Sequence, residues 1–325
     1  MQDTARPQIT FPAPAWDIEV KRRYNTGARH AFILHFNVGD EIIPGMTLEQ
    51  YIPQTLNRLD PAVIVFYDRA HGLSFAFASM REKFIELTEF NAAAPNPLAQ
   101  MAGLAPQQGE LPASPSEVLP LLDKLLHVRS ERPMVVVINW AETILPNAPF
   151  TQLSPEDRTN VVLAADWGND RTIAALGNVL ILTTRNLGDL HQQVASPSAG
   201  YHQILVDLPD GERRQAYIDI VAAKSGDNDP DFAFKWGMSP ADVARLTTTL
   251  NLRDLKTLFL EARYAGELTA DLLNETKAKI ISAEYGDLVQ IVDPSLTFAD
   301  IGDLEHIKRW LRRSVIDPLR SGNRQ

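Results

Sequence analysis

Not one cysteine occurs in the 325 residues. That alone excludes disulfides and thiolate metal sites, and it suits a reducing compartment. Positive charge is also short: 31 lysines and arginines stand against 41 aspartates and glutamates, a formal net charge of -10. Such a surface repels nucleic acid and anionic membrane, so neither is expected as a partner. No apolar run approaches the roughly 20 residues needed to cross a bilayer. Met1 is followed by Gln2, Asp3 and Thr4, without the basic and apolar regions of a secretory signal. A cytoplasmic location is the expectation. The chain also has no Gly-x-Ser-x-Gly elbow for a serine nucleophile. Its seven histidines are scattered, with no His-x-x-x-His pair to set two imidazoles on one helical face. No metal site is expected. His30 and His35 flank a strand on opposite sides and read as core or edge residues.

What is present is an ordinary globular balance, 45% hydrophobic and 22% charged. The length allows one large domain or two medium ones. Residues 1–15 hold three prolines and no hydrophobic periodicity, which predicts a loose arm, and a short amphipathic helix follows from Trp16 to about Tyr24. Five apolar runs then come at intervals that suit strands: Ala31–Phe36, Ala62–Tyr67, Met134–Asn139, Val179–Thr183 and Gln203–Val206. None alternates strictly, the pattern of parallel strands covered on both faces. Helical spacing marks Leu48–Leu59, Met80–Glu89, Ser116–His127 and Ser154–Trp167 between them. Strands alternating with helices predict a three-layer α/β domain. Ala92–Ser114, rich in alanine, proline and glutamine, interrupts it as a surface excursion. After Pro209 no further strand is evident. Helices over Glu212–Lys224, Ser239–Leu250, Leu252–Ala265 and Thr269–Glu284 predict an all-helical second subdomain.

The C-terminal segment is more specific. It runs Thr297, Phe298, Ala299, Asp300, Ile301, Gly302, Asp303, Leu304, Glu305, His306, Ile307, Lys308, then Leu311, Val315, Pro318 and Leu319. This resembles the opening segment of an AAA-family (AAA+) ATPase module, in which a Phe-x-Asp-Ile-Gly-x-Leu run precedes a helix ending Val-x-x-Pro-Leu. In that family the Asp-Ile-Gly backbone, here Asp300, Ile301 and Gly302, lies beside the adenine. Lys308, Arg309, Arg312 and Arg313 on the same helix read as a solvated face. The preceding residues resemble the family in order too. Val179–Thr183 with Arg185 and Asn186 resembles the strand ending in the sensor-1 residue, and Ile204–Asp210 resembles the exit from the last strand into the lid.

The resemblance implies a P-loop-NTPase-like αβα core with a five-stranded parallel sheet in the order 5-1-4-3-2, followed by a helical lid. The implied organisation is an arm and helix over 1–23, the core over 24–208, the lid over 209–286, and over 287–325 a linker into a second module that is cut short. Against that frame the nucleotide chemistry is missing. A phosphate loop needs Gly-x-x-x-x-Gly-Lys-Ser/Thr, and no Gly-Lys pair occurs in the chain. After the first strand come Asn37, Val38, Gly39, Asp40 and Glu41, acids where the family places a cation. The third strand ends Asn139, Trp140, Ala141, Glu142, with amide and indole where the family has a metal-supporting and a catalytic carboxylate. The arginine-finger positions fall at Ala199 and His202. The implied sensor-1 position falls at Arg185, or at Asn186 one residue on.

These residues predict a pseudo-ATPase module with no cofactor of its own. The resemblance implies a place in a hexameric, ATP-driven remodelling protein, with ATP and Mg expected in the missing second module. Its partners would be proteins or further copies of itself. Two other readings stand beside this one. The first is a stand-alone scaffold or interaction domain. The second is an unrelated enzyme using the crevice lined by Asn37, Asp40, Asp68, Asn139, Glu142 and Arg185, with Asp68, Arg69 and His71 offering an acid–base look.

Overall fold

The computed structural model describes residues 11–90, 111–226, 232–285, 298 and 300–317. Residues 1–10 of the expected arm, residues 92–110 of the expected excursion, the 287–297 linker and Pro318–Leu319 of the C-terminal pattern lie outside the described residues. The chain opens with α1 (Ala15–Asn25), β1 (Ala31–Phe36), the short strands β2 (Glu41–Ile43) and β3 (Met46–Thr47), and α2 (Leu48–Leu56). Next come β4 (Val63–Asp68), β5 (Gly72–Phe75), α3 (Ala78–Thr88), α4 (Pro115–Leu126) and β6 (Met134–Ile138). The core closes with α5 (Pro155–Asn169), α6 (Arg171–Leu176), β7 (Val179–Thr184), the single turn α7 (Gln192–Ala195) and β8 (His202–Val206).

The main sheet has the order β5-β4-β6-β7-β1-β8. Its five parallel strands therefore stand in the expected order 5-1-4-3-2. Burial explains the missing alternation: every residue of β6 and β7 is buried, because helices cover both faces. The sixth strand, β5, is antiparallel to β4 and was not anticipated. It depends on a tight turn in which the Asp68 carboxylate accepts from the amides of Ala70 and His71, both at 2.8 Å, and Gly72 takes φ +75°. Four residues are too short a run to register as a period.

The expected loose arm is corrected over its described part. Pro14 is buried, and the Phe11 ring lies 5.4 Å under the Arg213 guanidinium. Asp17 anchors α1 to α2, since its buried carboxylate accepts from Lys21 (2.8 Å), from Tyr51 Oη (3.2 Å) and from Thr55. Arg23 leads the contacts that hold the Glu19 carboxyl down at about 2, joined by Arg22 and His202.

A helical subdomain follows: α8 (Gly211–Gly226), β9 (Lys235–Trp236), α9 (Pro240–Leu246), α10 (Leu252–Ala265), β10 (Glu267–Leu268) and α11 (Ala270–Tyr285). Phe259 on α10 sits at its centre, stacked on Phe234 and tilted against Tyr217 and Trp236 at 5.9–6.0 Å. The strandless expectation after Pro209 needs one correction, because β9 and β10 form a two-residue parallel pair. Its length leaves no signature in the sequence.

Two compact units divide the chain, residues 1–273 and 274–325. Within the second lies α12 (Glu305–Leu311), which continues as a π-helical turn over Arg312–Ile316. Its basic face is smaller than expected: Lys308 is buried and donates to Ile301 O (2.6 Å) and Glu305 (2.8 Å). Arg312 covers the Phe298 ring at 5.6 Å.

His30, just before β1, donates from Nε2 to Trp167 O at 2.8 Å. Burial pulls its pKa below the ordinary imidazole value despite that bond. A lowered folded pKa means that its contribution to stability is present above the unfolded value, about 6.5, and is lost as pH falls through the folded value. His30→Gln is therefore expected to lose less thermal stability than the wild type between pH 7 and 5, as read by melting curves across that range.

Candidate functional site

The carboxyl ends of β1, β4, β6 and β7 line one edge of the sheet, where open α/β sheets bind ligands. Two backbone bonds carry the ladder past the strand ends and fix this edge. Asn139 N donates to Tyr67 O (2.8 Å), and Phe36 N donates to Arg185 O (3.0 Å).

After β1 the chain does not run straight into a helix. It makes a turn through Asn37–Asp40, then the β2–β3 hairpin, and only then α2. Asp40 is 4% exposed. Its oxygens accept from Leu252 N (3.1 Å), Arg253 N (3.0 Å) and the Asn37 amide (3.1 Å). The first two donors are the leading amides of α10, and the Asn251 side chain accepts from the next, Asp254 N (2.8 Å). The helix start is thus satisfied by a carboxylate 212 positions away in sequence together with its own capping box. Burial raises the Asp40 pKa, against the opposing pull of those amides and Asn37. Lys256 meets Glu41 at 3.4 Å, and Arg213 donates to Ile42 O, so the same loop grips the helical subdomain at three points.

Deeper in the edge, Asn139 joins two elements. It accepts from Thr183 Oγ1 (3.1 Å) and donates to Glu49 Oε2 (3.3 Å). Glu49 stands in the first turn of α2 and also accepts from Ser74 (3.4 Å). An anion near a helix N-terminus is the favourable placement for that charge. Thr183 and Glu49 were not singled out in the sequence. The polar end of a buried strand was the available signal for Thr183, and no local feature marks Glu49.

The remaining named positions lie apart from this network. Trp140 follows Asn139 in the left-handed region, φ 52°, and the Arg185 guanidinium lies 5.0 Å from its ring centroid. Arg185 also covers Gly39, where an added methyl group would lie 3.3 Å from Nη2. Glu142 sits in a 3-10 turn with one buried oxygen that has no hydrogen-bond partner. Asn186 turns away to cap its own loop, accepting from Gly188 N (3.1 Å) and donating to Asp189 (3.2 Å). Asp68 serves the β4–β5 turn, with His71 Nδ1 at 3.0 Å and exposed to solvent, while Arg69 donates to Thr143 O (2.7 Å). Asp68 and His71 are thus held together by turn geometry. Ala199 and His202 lie before and at the start of β8, at the amino ends of the strands, opposite the crevice. Ala199 is buried, and His202 pairs with Glu19 at 3.1 Å. Asp300, Ile301 and Gly302 belong to the second compact unit, where Ile301 lends its carbonyl to Lys308. No group of three or more potential metal-ligating side chains occurs among the described residues.

Two family models match. One, described as "AAA+ chaperone, N-terminal Rossmann-like domain", covers residues 6–207. The chain belongs to this AAA+ chaperone family. The second, "AAA+ chaperone, second helical domain", covers residues 212–286. Comparison with curated proteins gives no match. The AAA+ chaperone assignment agrees with the sheet order and with a helical subdomain directly after the last strand. It also frames the crevice chemistry. At the turn after β1 this AAA+ chaperone module carries a buried carboxylate held by the helical subdomain, and at the end of β6 it carries an amide held by Thr183 and Glu49. No helix among the described residues is long and apolar enough to cross a membrane.

Proposed function

We propose that this module serves an AAA+ remodelling machine as a nucleotide-independent structural unit, a pseudo-ATPase whose own side chains close the phosphate site. The observation that carries the reading is Asp40. Its carboxylate takes two amides at the start of α10, a position where a phosphate oxygen would otherwise find donors. Glu49, exposed in the first turn of α2, adds a second anion beside Asn139. A triphosphate approaching this edge meets the carboxylates of Asp40, Glu41 and Glu49. Coulomb repulsion and filled donors both oppose it.

On this reading the core and lid, dividing near 208/209 and 286/287, contribute ring geometry or a partner surface. ATP and Mg act in another module of the parent protein, in the cytoplasm. Isothermal titration of the chain with Mg-ATP tests it. No binding tighter than about millimolar is expected, an affinity of roughly -4 kcal/mol. Micromolar binding would sink the closed-pocket argument.

A further inference from the structure

Two aromatic residues on the crevice rim are placed at a steric cost that core packing does not repay. Phe36 ends β1 with φ 83°, and Trp140 follows β6 with φ 52°. Both are side chains with a Cβ in the left-handed region, and each keeps 43% of its surface in water. Strain of this kind persists only where the surroundings enforce it, and it gathers at ligand clamps. Between the two runs Arg185. Its backbone oxygen accepts from Phe36 N, its guanidinium lies over the Trp140 ring at 5.0 Å, and its Nη2 and Nε lie toward Gly39.

Arg185 pairs with no carboxylate among the described residues, unlike Arg69, its fellow arginine at this edge, which lies 4.0 Å from Asp157. Arg185 is exposed, and with its guanidinium over Trp140 and its Nη2 and Nε toward Gly39 it keeps N–H groups that can take a carboxylate. Tryptophan and arginine together are the side chains that most often carry binding energy at protein interfaces.

We propose that Trp140, Arg185 and Phe36 form a docking site for an acidic protein segment, a carboxylate flanked by apolar side chains. The proposal rests on the closed-pocket reading above. With Asp40, Asn139, Thr183 and Glu49 bonded to one another or to the helical subdomain, an incoming group is confined to the rim. Glu41, Glu49 and the net charge of -10 discriminate against a polyanion such as nucleic acid. One carboxylate aimed at Arg185, with aliphatic neighbours on Trp140 and Phe36, is the chemistry that fits.

The probe is a fluorescein-labelled peptide with one glutamate between leucines, compared with its glutamine counterpart by anisotropy. The acidic peptide should bind in the high-micromolar range and the glutamine form about tenfold more weakly. Arg185→Gln and Trp140→Ala should each lose about tenfold, while Arg185→Lys, a point charge without the fork, should lose less. Melting curves check that the variants fold. Three outcomes would overturn the proposal: equal binding of both peptides, no binding up to about 1 mM, or variants that bind as the wild type does. So would tighter binding of single-stranded RNA, or self-association of the chain that Arg185→Gln abolishes, which would make a second copy the occupant. Mg-ATP titrated into the same sample separates the two readings. Micromolar ATP binding defeats the closed pocket, whereas peptide failure without ATP binding defeats the docking site alone.

Discussion

Gly200→Ala is expected to cost about 4 kcal/mol of stability, the sum of left-handed backbone strain and overpacking against fixed backbone. Gly200 has φ +84°, and a methyl group there would enter the Gly168 carbonyl and lie 2.6 Å from Asn169 Oδ1. The approach is mutual. A methyl group at Gly168 would enter Ala199 O and meet the Tyr201 ring at 2.6 Å. The nearest atoms, the Gly168 and Ala199 carbonyl oxygens, are backbone and not the free end of a flexible side chain. Tyr201 is buried and donates from its hydroxyl to Ala164 O at 2.6 Å. Gly168→Ala, which lacks the φ penalty, should cost about 3 kcal/mol. Urea unfolding followed by tryptophan fluorescence reads both, because Trp167 adjoins the contact and bonds Asp123 at 2.8 Å. A midpoint unchanged in Gly200→Ala would mean that the end of α5 and the approach to β8 are not in contact in solution.

Asp40→Ala carries the second large effect, a loss of about 2–3 kcal/mol from two helix-start amides left without their charged acceptor, while the Asn251 cap stays in place. The loss has an address. Leu252 N is buried and would be left without its acceptor, and Arg253 N would lose its own. Amide exchange over the start of α10 should therefore rise more than exchange in β6 or β7. Asp40→Asn keeps one carbonyl oxygen and should lie between the two. If exchange in α10 is unchanged in Asp40→Ala, the loop after β1 does not hold the helical subdomain. The same variant bears on the closed pocket: removing one internal anion frees two amides, yet no lysine is thereby supplied, so tight Mg-ATP binding is not expected to follow.

How much of this was legible beforehand depended on how local the cause was. The parallel strands announced themselves as near-continuous apolar runs, because strands covered on both faces, as β6 and β7 are, need apolar side chains at every position. The helix Leu252–Ala265 was readable to its last residue, since its capping box and its terminal Gly266 in the left-handed region lie within the same stretch. The antiparallel strand Gly72–Phe75 and the β9–β10 pair were not readable: two to four residues give no period. At the site, the missing lysine and carboxylates could be counted from the sequence. Asp40 could be seen there only as a repelling charge, because the amides that it caps lie more than two hundred residues on. Thr183 and Glu49 meet at Asn139 only once two strands and a helix have been brought to one edge.

The sequence by itself therefore determined the class of fold, the order of its elements and the absence of a Gly-Lys pair. These follow from side-chain type and short-range spacing. Tertiary structure alone decided what the leftover polar groups do. A carboxylate can cap a helix, lock a turn or stand in solvent, and the choice depends on which donors the folded chain brings within about 3 Å. For Asp40 those donors are two amides of the helical subdomain, for Asp68 its own turn, and for Glu49 the amide of Asn139.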